Sequence, residues 1–524
     1  MRYPLREASK IRGFSKRVRS TGRLNLSGDP MTQSPSAPQI PGKGASTSRG
    51  FFGHPWGLAN LAGVEMWERF SFYGMQSLLA YYIYYSVTDG GLGMSQAAAA
   101  SIVGAYGGLV YLSAVLGGWI ADRILGAERT LITAASVIML GHIALAVVPG
   151  GLGLAIGLIF IGLGSGSLKV TTVTVVGDLY TPEDQRRDAA FSLYYMGVNL
   201  GALIGPLATA WLWGAKGFHW GFGLAAVGMA LGLIQYILMR RHTRTEANSK
   251  APHPLNASER VRWSLIAIIA LALILAAVLH GWISAENLSD IVVVATIVAA
   301  IILFAVILTS KQIDRTERSR VYSFIPLFVA SAVFWALFQQ QFTVLAIYAD
   351  ERLNRTIFGW EMPPSVVNSI NPVFIILFAG VFAAMWTKLG NRQPSTPLKF
   401  AMGTGIMGIA FLVFIPFSGG AANSVPLMAI VLILFLFTLA ELCLSPVGQS
   451  LATRLAPQAF HSQMVALFFL SVALGSAAAG TLAGFYSSDN EIPYFLVIGL
   501  AAIVVAVLLV LVRKPILKLM AGVK

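Results

Sequence analysis

The chain has 524 residues, of which 56% are hydrophobic and only 11% charged. A soluble domain carries about 25% charged residues, so the composition excludes a soluble globular protein and indicates a polytopic membrane protein, nearly all of it within the bilayer. The formal net charge of +14 suggests nucleic acid until the charges are located, and the single cysteine, Cys443, excludes an intrachain disulfide.

Residues 1–52 are rich in Arg, Lys, Ser, Pro and Gly and contain no apolar core of a secretory signal; they read as a disordered basic cytoplasmic tail. Fourteen apolar segments follow, at about residues 55–86, 96–120, 130–149, 153–176, 190–213, 220–240, 262–283, 290–310, 322–349, 364–387, 398–418, 425–449, 462–485 and 492–512. An even number puts both termini on one side. All but five of the 37 Lys and Arg lie in the tails and in the loops of that side; Lys216, Arg352 and Arg355 lie in the opposite loops, Arg69 and Lys169 inside segments. The positive-inside rule therefore sets both termini in the cytoplasm, and it explains the basic charge without nucleic acid. The expected organisation is an all-α membrane protein: tail 1–52, a six-helix half over 53–242, a linker with two extra helices over 243–320, a second six-helix half over 321–513, and a short tail over 514–524. Two halves with an inserted hairpin form a transporter architecture.

The first segment is the most informative. Residues 63–76 read Gly-Val-Glu-Met-Trp-Glu-Arg-Phe-Ser-Phe-Tyr-Gly-Met-Gln. Glu65, Glu68 and Arg69 each cost at least ~2.5 kcal/mol at the bilayer centre. Positions 65, 68, 69, 72, 73 and 76 share one helical stripe, which must face protein or a watery cavity. Glu65 precedes Arg69 by four residues, the favourable order for an ion pair. The second segment ends in Gly-Gly-Trp-Ile-Ala-Asp-Arg-Ile-Leu-Gly-Ala-Glu-Arg (117–129). This run resembles the inner-loop signature of the major facilitator superfamily, and its expected role is conformational.

Apart from Asp122 at the interface, five ionisable residues lie deep in the segments: Glu65, Glu68, Arg69, Lys169 and Glu441. Lys169 and Glu441 belong to equivalent segments of the two halves, each about 16 residues and ~24 Å from its outer end at 1.5 Å per residue. They are expected to pair across the halves and to break apart as a gate. Asn199, Asn371 and Trp335 lie inside other segments. Gln76 and Gln339 fall in the outer half of the bilayer, where they are expected to meet in a neutral hydrogen bond worth ~0.5–1.5 kcal/mol. The segments hold no nucleophile–base set, metal-ligand spacing or nucleotide loop, so neither an enzyme nor a cofactor is expected.

With these residues in view, the sequence resembles the proton-dependent oligopeptide transporter (POT/PTR) family of the major facilitator superfamily. Glu65-Met66-Trp67-Glu68-Arg69-Phe70-Ser71-Phe72-Tyr73-Gly74 is similar to the family's first-helix motif, residues 191–202 to its fifth-helix signature, and Leu444-Ser445-Pro446-Val447-Gly448 after Glu441 to its tenth. The resemblance implies proton-coupled import of di- and tripeptides by alternating access, in a bacterial plasma membrane. By position it implies that Glu65 and Glu68 couple protons, that Arg69 and Lys169 attract the peptide carboxylate, and that Glu441, Asn199 and Asn371 hold its amine. Tyr73, Tyr111 and Trp335 would line the cavity. Phe72 departs from the motif by lacking a hydroxyl, and Gln76 and Gln339 replace charged residues of many members. Other readings are a facilitator-fold transporter of another small solute (nitrate, a drug or a peptidomimetic) and a non-transporting membrane sensor.

Overall fold

A computed structural model describes residues 50–180, 184, 186–246 and 248–523. The basic tail expected over residues 1–52 lies almost wholly outside them. The described residues form helices α1 (Trp56–Tyr84), α2 (Gln96–Ile120), α3 (Ala127–Val147), α4 (Gly150–Gly177), α5 (Arg186–Lys216), α6 (Phe218–Met239), α7 (Ala257–Leu279), α8 (Leu288–Thr309), α9 (Arg315–Phe338), α10 (Val344–Glu351), α11 (Ile370–Leu389), α12 (Thr396–Leu412), α13 (Leu427–Leu455), α14 (His461–Ala483) and α15 (Glu491–Leu519). A two-stranded hairpin, Thr356–Ile357 with Trp360–Glu361, caps one loop. Among the described residues, 13 helical stretches are long and apolar enough to cross a membrane. The fourteenth expected span, α1, is 29 residues long but too polar to count among them, and its Glu65, Glu68 and Arg69 are buried.

The ninth segment does not run through as one helix. It stops at Phe338, tightens into a 3-10 turn over Gln339–Phe342, and resumes as α10. Thr343 adopts φ −121°, ψ −92°, outside the helical region. The glutamines turn outward to partners: Gln339 Nε2 donates to Ser476 at 3.0 Å, and Gln340 Oε1 accepts from the Tyr494 hydroxyl at 2.6 Å.

Helix α1 packs against α5, α6 and α2, and α3 bridges α4 and α6. On the other side, α12 lies against α15 and α13, and α14 against α9. Helices α2 and α14 run along each other, with α8 against both. Small residues allow these approaches, as membrane helices associate by close packing rather than by the hydrophobic effect. Gly197, Gly201 and Gly205 recur every fourth residue on α5. A Cβ at Gly201 would stand 2.2 Å from the Met66 carbonyl oxygen, and one at Gly205 2.3 Å from that of Phe70. Backbone meets backbone there, which locks the register of α5 on α1.

The extra pair is held unequally. Helix α8 is docked, whereas α7 has no buried residue. At one end α7 is tied by Arg123 to Glu259 at 2.9 Å and by the edge of Trp263 on Trp119. The strap before it forms backbone bonds to the α2–α3 turn: Glu128 N to Asn248 O, His253 N to Asp122 O, and Leu255 N to Arg123 O.

The α5–α1 contact predicts that Gly201→Ala destabilises the protein by about 1–3 kcal/mol through overpacking. It should appear as a lower Tm in detergent. Gly380→Ala, whose Cβ would meet nothing within 4 Å, should leave Tm unchanged.

Candidate functional site

Helix α1 carries its charges into the bundle, and its neighbours supply the counter-groups. Glu65, Glu68 and Arg69 are 2%, 0% and 5% exposed. Arg69 Nε lies 2.9 Å from Glu65 Oε1 and 2.8 Å from Glu68 Oε2. The Tyr194 hydroxyl of α5 donates to Glu65 Oε2 at 2.6 Å. The Arg69 guanidinium also lies over the Phe72 ring, 5.4 Å from its centre, and Phe72 stacks on Tyr106. Phe72 thus meets the guanidinium through its ring face.

Lys169 of α4 is half-buried, its Nζ 4.7 Å above the ring of Tyr111. Tyr111 in turn stacks on Phe469 of α14, and Tyr73 on Phe342 beyond α9. Across the bundle, Asn371 Nδ2 donates to Thr438 Oγ1 at 3.0 Å and to Glu441 Oε2 at 3.4 Å. Asn199 donates within α5, to the Tyr195 carbonyl. Trp335 is buried among Phe334 and Phe338, its indole N–H without a hydrogen-bond partner.

The two expected gates come out differently. No ion pair joins Lys169 to Glu441. Helix α4 begins at Gly150 and α13 at Leu427, so Lys169 lies about five residues further along its helix, roughly 7–8 Å at 1.5 Å per residue. The ion pair expected between them is not formed in this structure. The hydrogen bond expected between Gln76 and Gln339 is not formed in this structure. Gln339 is taken by Ser476, and Gln76 Oε1 is buried without a partner.

The end that the charge distribution assigns to the outside is instead closed by other groups. The hydroxyls of Tyr84 and Tyr85 both donate to Asp350, each at 2.8 Å, and the Tyr81 hydroxyl donates to the Ala346 carbonyl. Gln96 Nε2 donates to Glu351 at 2.6 Å. The segment bearing Asp350 and Glu351 is anchored behind by Arg352, which pairs with buried Glu491 at 2.9 Å and reaches the Gly420 carbonyl. Sequence reading missed this latch because hydroxyls and loop carboxylates at a helix end look like ordinary interfacial residues. It missed Tyr194 too, although that residue sits three positions before Gly197, on the face that the glycine spacing turns toward α1.

Comparison with known proteins agrees with this geometry. The POT family model matches residues 128–498. The chain is 42% identical to the uncharacterized transporter YclF of Bacillus subtilis (strain 168), over 91% of this chain and 97% of that protein. It is 38% identical to a di-/tripeptide transporter of Lactococcus lactis subsp. cremoris, over 91% and 99%. A crystal structure of a peptide transporter POT in complex with sulfate matches with a TM-score of 0.86 at 44% identity, over 90% of this chain and 97% of that one. The helices accordingly form a major facilitator fold, two six-helix halves with the α7–α8 hairpin between them. From the family match and the extent of these identities, the chain belongs to the POT family.

Proposed function

We propose that the protein is a proton-coupled symporter that imports di- and tripeptides by alternating access, with both termini in the cytoplasm of a bacterial cell. The observation that carries this reading is the presence of two polar clusters within the helix bundle, one in each half. One holds Arg69 and Lys169 with Glu65 and Glu68; the other holds Glu441 with Asn371 and Thr438. A peptide zwitterion has a carboxylate for the first and an ammonium for the second. Those features are common to all short peptides, and aromatic walls from Tyr73, Tyr111 and Trp335 accept varied side chains.

Charge counting explains why a proton travels with the peptide. Two bases and two acids cancel in the first cluster. An arriving carboxylate adds one negative charge, and one proton on an acid restores the balance. Peptide and proton therefore raise each other's affinity, and thermodynamic linkage makes the effect reciprocal. The printed name of the Lactococcus relative, a di-/tripeptide transporter, supports the substrate class.

The Tyr84–Tyr85–Asp350 latch serves as the outer gate in this scheme, and the separated Lys169 and Glu441 as an inner gate caught open. The structure then corresponds to an inward-facing stage.

The direct test is uptake of a labelled dipeptide into proteoliposomes under an imposed pH gradient. Accumulation should be inhibited by unlabelled di- and tripeptides and not by nitrate. Glu65→Gln and Glu68→Gln should each abolish gradient-driven accumulation while leaving peptide exchange; normal uphill uptake in both would reject the coupling assignment. Lys169→Ala and Glu441→Ala should each stop transport, and cysteines at these two positions should cross-link only when the inner side is shut. Asp350→Asn should weaken the outer latch, since hydrogen bonds to a charged partner are worth ~1.5–3 kcal/mol. A cysteine at position 81 should then react faster with a membrane-impermeant thiol reagent added outside.

A further inference from the structure

Helix α8 of the inserted hairpin is fixed to the second half and grips the first. Along its inner part the Phe304 ring meets Phe324 and Phe328 of α9, and Ala300 and Ile307 are buried in the core of the second half. Near its outer end it is tied to α14. There the Thr481 hydroxyl donates to Asp290 Oδ1 at 2.6 Å and lies 3.2 Å from the Ser289 hydroxyl. At that same end α8 reaches α2 of the first half. The Ser289 N–H donates to Ser101 Oγ at 3.1 Å, and both residues are buried. A Cβ at Gly108 of α2 would stand 2.8 Å from Val292 Cγ1, and Ala285 and Leu288 pack against the core of the first half.

The seam that α8 covers is one where the halves meet. A Cβ at Gly104 of α2 would stand 2.6 Å from the Gly480 Cα of α14, and one at Gly480 2.6 Å from the Ala100 carbonyl oxygen. Surfaces this bare have no side chains to interlock, so close packing and polar contacts hold them. Opening the outer side has to part α2 from α14 at this point. Ser289 is the second residue of α8, so its N–H has no partner within the helix. Ser101 satisfies it while the seam is closed. Because α8 is held to α14 through Thr481 and to α9 through Phe304, parting the seam also pulls Ser289 away from Ser101. The tyrosine latch on Asp350 joins α1 to α10; this contact closes the outer end at a different pair of helices.

We propose that α8 is an outer clamp: riding on the second half, it grips α2 through the Ser101–Ser289 contact and weights the protein toward the state closed to the outside. This rests on the alternating-access reading above and gives the inserted hairpin a place in the cycle. A contact made in only one of two states shifts their equilibrium by its own free energy. The effect of the clamp is therefore on the populations of the two states.

The test uses the full chain in liposomes with Cys443→Ser as background. Spin labels on Val87→Cys and Phe485→Cys, both exposed near the outer ends of the two halves, report outer-closed and outer-open distances by pulsed electron paramagnetic resonance. Adding Ser101→Ala should lower the ratio of closed to open populations by about two- to twelvefold, the range of one neutral hydrogen bond. Retained dipeptide counterflow shows that the variant is folded. In a second arm, Ser101→Cys with Ser289→Cys is joined by a short bifunctional thiol reagent. The cross-link should abolish dipeptide uptake from outside, and a reductant should restore it. The same reagent across Asp290→Cys and Thr481→Cys, both on the second half, should leave uptake intact. An unchanged ratio in Ser101→Ala overturns the proposal, as does uptake that persists with positions 101 and 289 cross-linked. A parent chain that shows both distances and takes up no dipeptide rejects the peptide reading and leaves the clamp standing. One distance under all conditions, with and without dipeptide, removes alternating access and the clamp with it.

Discussion

Everything in the first six helices is arranged around the need to keep a guanidinium inside a bilayer. Arg69 cannot be deprotonated and cannot reach the interface from the middle of α1, so its charge has to be met where it stands. Glu65 and Glu68 meet it from the same helix, Phe72 offers its ring face, and α5 contributes Tyr194. The helix that brings Tyr194 must lie very close, which is why its contact face is glycine. The charge on one helix thus dictates the small residues on another. Removing one partner of such a buried set strands the rest, at about 3–5 kcal/mol, so the group is retained or lost as a whole.

The second organising constraint is that the two sides of the cavity must separate. At the centre they touch through rings rather than charges, Tyr111 on Phe469 and Tyr73 on Phe342. Stacked rings give up little when they slide apart. Directional bonds between the sides include the two phenolic hydroxyls that Asp350 receives at the rim and the Ser369 hydroxyl on the Leu203 carbonyl. Such bonds are short-ranged and exchange readily with water, as a contact made and broken in every cycle must. Behind the rim, the Arg352–Glu491 pair is buried and stays within one side of the molecule. The buried ion pair thus lies within one half, and hydrogen bonds to a rim carboxylate join the two.

The helices and most of the polar centre were legible in the sequence because a bilayer makes them so. Length and apolarity delimit spans, and a charge within a span has to point inward. That logic reached Glu65, Glu68, Arg69, Lys169 and Glu441 without a structure. It failed where the outcome depends on which of several similar groups a side chain meets. Gln339 donates to Ser476 on α14 rather than meeting Gln76. The break after Phe338 was hidden for a related reason, since apolar residues continue on both sides of it. Lys169 and Glu441 illustrate a third limit: equal depth estimated from segment ends carries the error of both ends.

Beyond Trp263, helix α7 answers to the bilayer. With no buried residue on that stretch, any apolar residue of good helical propensity serves there equally well. Among homologous chains its sequence is therefore free to drift, so that identity should fall away there while hydropathy is preserved. The same freedom makes its outer turn the natural point at which to splice a reporter domain, since a load carried there is borne by lipid and not by the parts that move.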